Sequence, residues 1–438
     1  MAEKKPNIRF KGFEEEWEDK PFADAYKSAA EGGTPSTSVK DYYVGGSIPF
    51  VKIEDTEQKY IHDTASHITE KGMNNSSAWL IPSNSIIFTN GATIGNVAIN
   101  KVPVTTKQGI LGVIQDTSKF DLEYLYYALS TDEFQTEVEK RQSKGTFATI
   151  ILRNLDKIDI PHTSLPEQRK IGEFFKQLDE LIGAKEQELE KLRQIKLALL
   201  DKMFPSDSQD NINGGGKSLI YKMLQNSSQL VVSSPAPNTP TIRFRGFTEP
   251  WEKYLISRRV TYGKGRGYSK ANLQQSGTPI LLYGTLYTDY NTNITEVDRY
   301  STKKEWAVIS KGNEVVVPAS GETAEDIARA SAILKAGIIL GGDLNIIYPD
   351  DKLDASFLAL ELTYGNSHRK LVKKAQGISV VHLHNTDISE LEINVPSYNE
   401  QRKIGDFFRS QDEAIANSQL QINKLKTIKQ ACLSQMFA

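Results

Sequence analysis

Six residues near the start of the chain, Ile8-Arg9-Phe10-Lys11-Gly12-Phe13, return as Ile242-Arg243-Phe244-Arg245-Gly246-Phe247, and Trp17-Glu18 returns as Trp251-Glu252. The offset is 234 (242 − 8). A second block, Glu167-Gln168-Arg169-Lys170-Ile171-Gly172, returns as Glu400-Gln401-Arg402-Lys403-Ile404-Gly405, with Phe174-Phe175 matched by Phe407-Phe408 and Met203-Phe204 by Met436-Phe437, at an offset of 233 (400 − 167). Two blocks that stay in step over such distances mark an internal duplication, and a period this long excludes a short-repeat solenoid. Between the blocks, 19–150 and 253–380 share little beyond the spacing of elements. The chain therefore reads as domain, helix, domain, helix, with a shared frame and different contents.

The helix of each copy is legible from its periodicity. After Pro166, Phe175, Leu178, Ile182, Leu189, Leu192, Leu199 and Met203 follow three-four-seven spacing, widened by Ile171, Phe174, Leu181 and Ile195. Lys185, Glu186, Glu188, Glu190, Lys191 and Arg193 occupy the other face. This predicts an amphipathic helix of roughly 38 residues, about 57 Å long. The second copy repeats the stripe with Ile404, Phe407, Phe408, Ile415, Ile422, Leu425, Ile428 and Met436. Helices of this length with a narrow apolar seam need a partner, and the nearest is the other copy, as an antiparallel coiled coil. The pair then serves either as a plain dimerisation rod or as a ruler between two readers; two divergent domains favour the ruler. The expected fold class is α+β: two mixed α/β domains (1–160 and 241–395), two long helices (165–205 and 398–438), a linker (206–240) and a pseudo-two-fold internal repeat. The linker holds Gly214-Gly215-Gly216 and Ser233-Ser234-Pro235-Ala236-Pro237, with one or two helical turns expected over 219–224.

In the first domain 47–53, 85–88 and 110–114 read as strands between Gly/Asn turns, followed by helices over 120–129 and 132–141. In the second, 280–283, 314–317 and 344–348 are the strand candidates and 355–364 the matching helix. Polar, glycine-bearing loops differ in composition between the copies. They supply the candidate DNA-contacting residues: Thr34, Ser36, Asn90, Thr93, Asn96, Lys107 and Gln108 in the first, and Lys264, Arg266, Lys270, Tyr283, Tyr287, Ser320, Glu322, Thr323 and Asn345 in the second. Gln376 and Ser379 join them, as do the basic clusters Lys140-Arg141 with Lys144, and Lys373-Lys374. Asn, Gln, Ser, Thr, Lys and Arg can read base edges, and Lys and Arg neutralise phosphates.

A net charge of −2 is not the footprint of a strongly basic nucleic-acid binder, so DNA affinity must reside in local patches or be supplemented by a partner. One cysteine, Cys432, excludes an internal disulfide and a cysteine-rich zinc site. The apolar runs are too short for a membrane span and the charged N-terminus lacks a signal-peptide core, so a cytoplasmic protein is expected. Gly214-Gly215-Gly216-Lys217-Ser218 lacks the first glycine and preceding strand of a phosphate-binding loop. His382 and His384 have no clustered co-ligands, and no convergent acid, base and nucleophile occur. Neither a catalytic residue nor a metal ligand is expected, which argues against a single chain that itself methylates or cleaves DNA. A coiled-coil adaptor without a nucleic-acid role remains as an alternative.

Arg-Phe-x-Gly-Phe with a following Trp opening each half, Glu-Gln-Arg-Lys-Ile-Gly-x-Phe-Phe opening each long helix, and Met-Phe near its end resemble the specificity (S) subunits of type I restriction–modification enzymes. So do Ser320-Gly321-Glu322-Thr323-Ala324, Gly341-Gly342-Asp343-Leu344-Asn345 and 376–383 of the second domain. The resemblance covers essentially the whole chain. It implies two target-recognition domains, each reading half of a bipartite site on double-stranded DNA, with helices that set the spacer. It implies two methyltransferase subunits using S-adenosylmethionine, and two restriction subunits using ATP and Mg, on a subunit that binds no cofactor itself. The helix-opening residues Gln168, Arg169, Phe174, Phe175, Gln401, Arg402, Phe407 and Phe408 are then the expected partner-subunit interface.

Overall fold

The computed structural model describes residues 6–143, 148–205, 229–233, 238–288, 290–375 and 380–437. Most of the linker, Lys144, Gln376, Ser379 and the short helix expected over 219–224 lie outside these residues. The described chain divides into two compact units, Met1–Glu186 with Leu420–Ala438, and Gln187–Gln419. Each unit thus holds one globular domain, the start of the long helix that follows it, and the end of the other long helix.

In the first unit a five-stranded sheet runs in the order Tyr26–Glu31, Ile110–Gln115, Ile86–Thr89, Val97–Asn100, Tyr60–Ile61. The first four are antiparallel neighbours and the last is parallel to its partner. Every residue of Ile86–Thr89 and Val97–Asn100 is buried, which is why these runs are apolar throughout rather than alternating. A smaller sheet joins Ile48–Val51 to His67–Ile68 and Thr105–Thr106. The helices Leu122–Leu129 and Asp132–Arg141 start at Asp121 and Thr131, whose side chains accept the N–H of Tyr124 and Phe134 and satisfy otherwise orphaned donors. Glu18–Pro21 pairs with Asp159–His162 and brings the domain's entry beside its exit.

The second unit repeats this topology, with one strand added to its smaller sheet. Its five-stranded sheet runs Val260–Lys264, Leu344–Pro349, Glu314–Pro318, Ser331–Ile333, Asn293–Ile294. The smaller sheet holds Tyr300–Ser301, Thr278–Leu281, Ala336–Leu340 and Ile309–Lys311, and the helices are Ala355–Tyr364, capped by Asp354, and Asn366–Lys374. Glu252–Leu255 closes on Glu392–Val395. The order of strands in the five-stranded sheet is the same although the sequences between the repeat blocks are not.

The long helices are Leu165–Met203 and Tyr398–Met436, 39 residues each. Their pairing is antiparallel in both units. In the first, Lys429 meets Asp179 at 2.6 Å and Lys426 meets Glu186 at 2.7 Å; in the second, Lys196 meets Asp412, and Arg193 donates to Gln419 at 3.2 Å. Numbers rise along one helix as they fall along the other. Ile182 and Ile422 are buried in the seam, whereas Leu181 and Ile428 are about half exposed, at 46% and 50%. The expected stripe was too wide: one 39-residue helix against another buries a narrow seam, and residues on its flanks turn out to solvent.

The helix ends become core. Leu433, Met436 and Phe437 pack with Trp17, Phe22, Tyr124 and Phe175 in the first unit. Leu199, Leu200, Met203 and Phe204 pack with Phe244, Trp251, Phe357 and Phe408 in the second. The repeated Met-Phe is therefore a plug that fills the other copy's domain. No helix among the described residues is long and apolar enough to cross a membrane.

Candidate nucleic-acid interface

The repeated blocks explain how the loops are positioned. Arg9 donates from Nε and Nη2 to the two Glu167 oxygens, at 2.6 and 2.8 Å, and Arg243 grips Glu400 at the same two distances. Gln168 accepts the Asp121 N–H at 2.8 Å and donates to the carbonyls of Lys119 and Thr163; Gln401 accepts the Asp354 N–H at 2.9 Å and donates to those of Lys352 and Pro396. A Cβ on Gly172 would lie 2.8 Å from the Tyr124 nitrogen, and one on Gly405 2.9 Å from the Ser356 Cβ, so only glycine lets the long helix approach the capped helix. Each motif locks a long helix onto the domain that precedes it.

This corrects part of the expected partner interface. Gln168, Phe175, Gln401 and Phe408 are buried in their own domains, with no side-chain surface left for another subunit. Phe174 and Phe407 are half-buried against Phe10 and Phe244, at 5.7 and 5.5 Å between ring centroids. Arg169 and Arg402 are exposed and remain available.

In the first domain the candidate loops converge at one end of the five-stranded sheet. The Gly32 N–H donates to Ile110, the Gly109 N–H to the Glu31 carboxylate at 2.7 Å, and the Gln108 N–H to Thr34 at 3.4 Å. Asn90 and Gly91 both donate backbone N–H groups to the Gly109 carbonyl, and Gly91 bridges to Thr149. Thr34, Ser36, Thr93, Lys107 and Gln108 are exposed there. Asn90 is not: it is buried, and its amide donates to the Ile150 carbonyl at 3.3 Å. Asn96 is half-buried and donates to Thr56. Lys140 and Arg141 both pair with Glu137 and pull its carboxyl down to about 2, so their charge is partly answered within the helix.

The second domain gathers its loops in the same place. The Gly265 N–H donates to Leu344, Arg266 to Leu340, and Gly342 to Tyr268. Ala319 donates to Asp343, and Ser320-Gly321 pairs with Val381-His382. Ser320 donates to the Asp343 carboxylate at 3.4 Å, and Thr323 caps the turn Ala324–Ile327 and donates to Asp326. Tyr283 and Tyr287 lie 6.2 Å apart, with burial and the nearby acids raising the Tyr287 phenol above its ordinary value. Lys264, Arg266, Lys270, Glu322 and Lys373 are exposed, and Lys374 pairs with Glu390. Asn345 is corrected as Asn90 is: fully buried, it donates to the Leu383 carbonyl at 2.8 Å and braces the loops from beneath. Asp343, with φ +57, was missed by sequence reasoning, although Gly341-Gly342 before it signalled an unusual turn. No group of three or more His, Cys, Asp or Glu able to hold a metal occurs among the described residues.

Two equivalent frames with different loops match one family twice. The family described as "Type I restriction modification DNA specificity domain" matches residues 14–194 and again 248–427. The chain belongs to that family. Among curated members of the specificity-domain family, the chain is 34% identical over 192 residues to the MjaIX specificity subunit of Methanocaldococcus jannaschii, covering 43% of this chain and 44% of that one. It is 29% identical over 157 residues to the EcoR124I/EcoR124II specificity subunit of Escherichia coli, covering 35% and 39%. Each alignment thus spans less than half the relative's length. The fold is similar to that of the type I restriction–modification S subunit from M. genitalium, with a TM-score of 0.58 and 14% identity over 99% of both chains. Each match begins just after an Arg-Phe-x-Gly-Phe block, includes the Glu-Gln-Arg-Lys-Ile-Gly block that opens the long helix, and stops before the helix ends that plug the opposite copy.

Proposed function

We propose that this chain is the non-catalytic DNA-reading subunit of a type I restriction–modification complex, and that it recognises a bipartite, asymmetric site with one loop cluster per half. The observation that carries this reading is the contrast within the duplication. Strand order in the five-stranded sheet, the Arg–Glu interlock and the first capped helix are the same in both copies, while the loops of the first copy carry Thr34, Ser36, Thr93, Lys107 and Gln108 and those of the second carry Tyr283, Tyr287, Glu322 and Thr323. A preserved frame with unlike polar loops suits two different base sequences.

Methylation and cleavage belong to partner subunits on this reading: two methyltransferase subunits that use S-adenosylmethionine and two restriction subunits that use ATP and Mg. Extruding an adenine for methylation takes place in the partner's pocket. The unbroken 39-residue helices suit a fixed spacer between the half-sites. The exposed Arg169 and Arg402 are the remaining helix-opening candidates for docking a partner.

Mapping methylated adenines genome-wide in a host with and without this gene tests the reading. A split sequence motif that is methylated only when the gene is present supports it. An unchanged methylation pattern, with the methyltransferase still expressed, overturns it.

A further inference from the structure

The second domain carries a cationic surface that its base-reading loops do not account for. The segment 263–273 holds Lys264, Arg266 and Lys270 and no acid, and 300–306 adds Lys303 and Lys304 against the single acid Glu305. All five cations are exposed, and none forms an ion pair with a described residue. On a chain of net charge −2 that is a concentrated, unanswered positive patch.

An aromatic pair joins the two segments. Trp306 is 43% exposed, and its ring lies 5.1 Å from that of the buried Tyr268. The Tyr268 hydroxyl donates to the Thr302 carbonyl at 3.1 Å and accepts the Lys304 N–H at 2.9 Å, which pins 302–306 over 266–268. The Lys304 ammonium sits 5.1 Å from the Trp306 ring centre and 5.8 Å from that of Tyr268, a geometry in which the cation is attracted to both ring faces. Gly267 has φ +58, and a Cβ there would come within 2.6 Å of the Trp306 ring, so the turn is built to admit the indole. A large aromatic that is half exposed yet locked in place is a contact surface rather than a core residue.

The corresponding stretch of the first domain, after the strand Tyr26–Glu31, differs. It presents Thr34, Ser36 and Ser38, and its nearby Asp41 is paired with Lys71. The patch belongs to one copy, so it is not part of the shared frame.

We infer that Trp306, with Lys303, Lys304, Arg266, Lys264 and Lys270, forms a sequence-independent anchor for the sugar–phosphate backbone of duplex DNA, beside the half-site that the second domain reads. The indole face packs against deoxyribose while the cations neutralise phosphates. The inference rests on the DNA-reading function proposed above and adds the division of labour within one domain: loops for bases, patch for backbone.

The test uses the full chain assembled with its methyltransferase, and two duplexes, one with the methylated site and one without. Arg266→Gln/Lys303→Gln/Lys304→Gln should weaken binding to both duplexes by a similar factor, about tenfold or more. It should reduce the slope of log affinity against log salt by about 0.9 for each phosphate contact removed. The methylated sequence should not change. Trp306→Ala should weaken both duplexes several-fold, and Trp306→Phe should recover most of that loss. The three substituted cations are exposed, so unaltered thermal unfolding serves as the folding control for that variant, and Trp306→Phe controls for the loss of packing in Trp306→Ala. Unchanged affinity and salt slope would overturn the anchor, as would an altered methylation motif, which would make these residues base readers. A wild-type assembly that does not prefer its site fails in a different way and sinks the broader reading instead.

Discussion

Arg9 grips both oxygens of Glu167 across 158 residues of sequence, and Arg243 grips Glu400 across 157. The opening segment of each half is thereby fastened to the first turn of the long helix that closes it. In the second copy both partners are almost fully buried, so removing one leaves an uncompensated charge in a poor dielectric. Arg243→Met should destabilise the second unit by about 3–5 kcal/mol, measured by chemical denaturation, and more than Arg9→Met destabilises the first, because Arg9 is partly exposed. Equal, small losses would show that the pair is incidental.

That interlock also marks the limit of what the sequence discloses. The duplication, the long helices, the antiparallel pairing and most of the strands follow from repeats and periodicity, because those patterns record burial directly. What Gln168 and Gln401 do does not follow. A Glu-Gln-Arg-Lys run looks like a solvated helix start, and only the fold shows its first two side chains turned inward onto Arg9, Asp121 and their counterparts. Asn90 and Asn345 are similar: an amide can read a base or hold a carbonyl, and composition does not tell which. Trp306 escaped notice because a lone tryptophan in a charged run carries no period.

The helix ends make each domain depend on residues far away in sequence. Phe437 is 5% exposed and lies 5.2 Å from the Tyr124 ring and 6.1 Å from that of Phe175. Phe204 lies 5.8 Å from the Phe357 ring. Phe437→Ala should cost about 3–5 kcal/mol in the first unit, and Phe204→Ala a similar amount in the second. Hydrogen exchange checks this: protection should fall over 86–129 for Phe437→Ala and over 314–364 for Phe204→Ala.

Glu361 gives the second unit a distinctive pH response. Its carboxyl is fully buried, Ser367 donates to one oxygen at 3.1 Å, and the other oxygen has no hydrogen-bond partner among the described residues. Burial pushes its pKa up to about 8, against smaller opposing effects from Ser367, the Asn394 backbone and Lys370. The folded state holds a proton that the unfolded chain releases near the ordinary glutamate value. The stabilisation is therefore complete below about pH 4.5 and is lost as pH rises through about 8. Glu361→Gln should flatten the melting temperature across that window and melt higher than the parent at pH 9. Parallel pH profiles for the two proteins would remove Glu361 as the cause.

The central claim is that two equivalent frames read two halves of one site independently. Replacing residues 241–395 with the same domain from a relative of different specificity, and sequencing the methylated adenines produced by the assembled methyltransferase, tests it most directly. The account predicts a motif in which one half-site changes to that of the donor while the other half and the spacer stay as they were. A motif altered in both halves, or in neither, would contradict it.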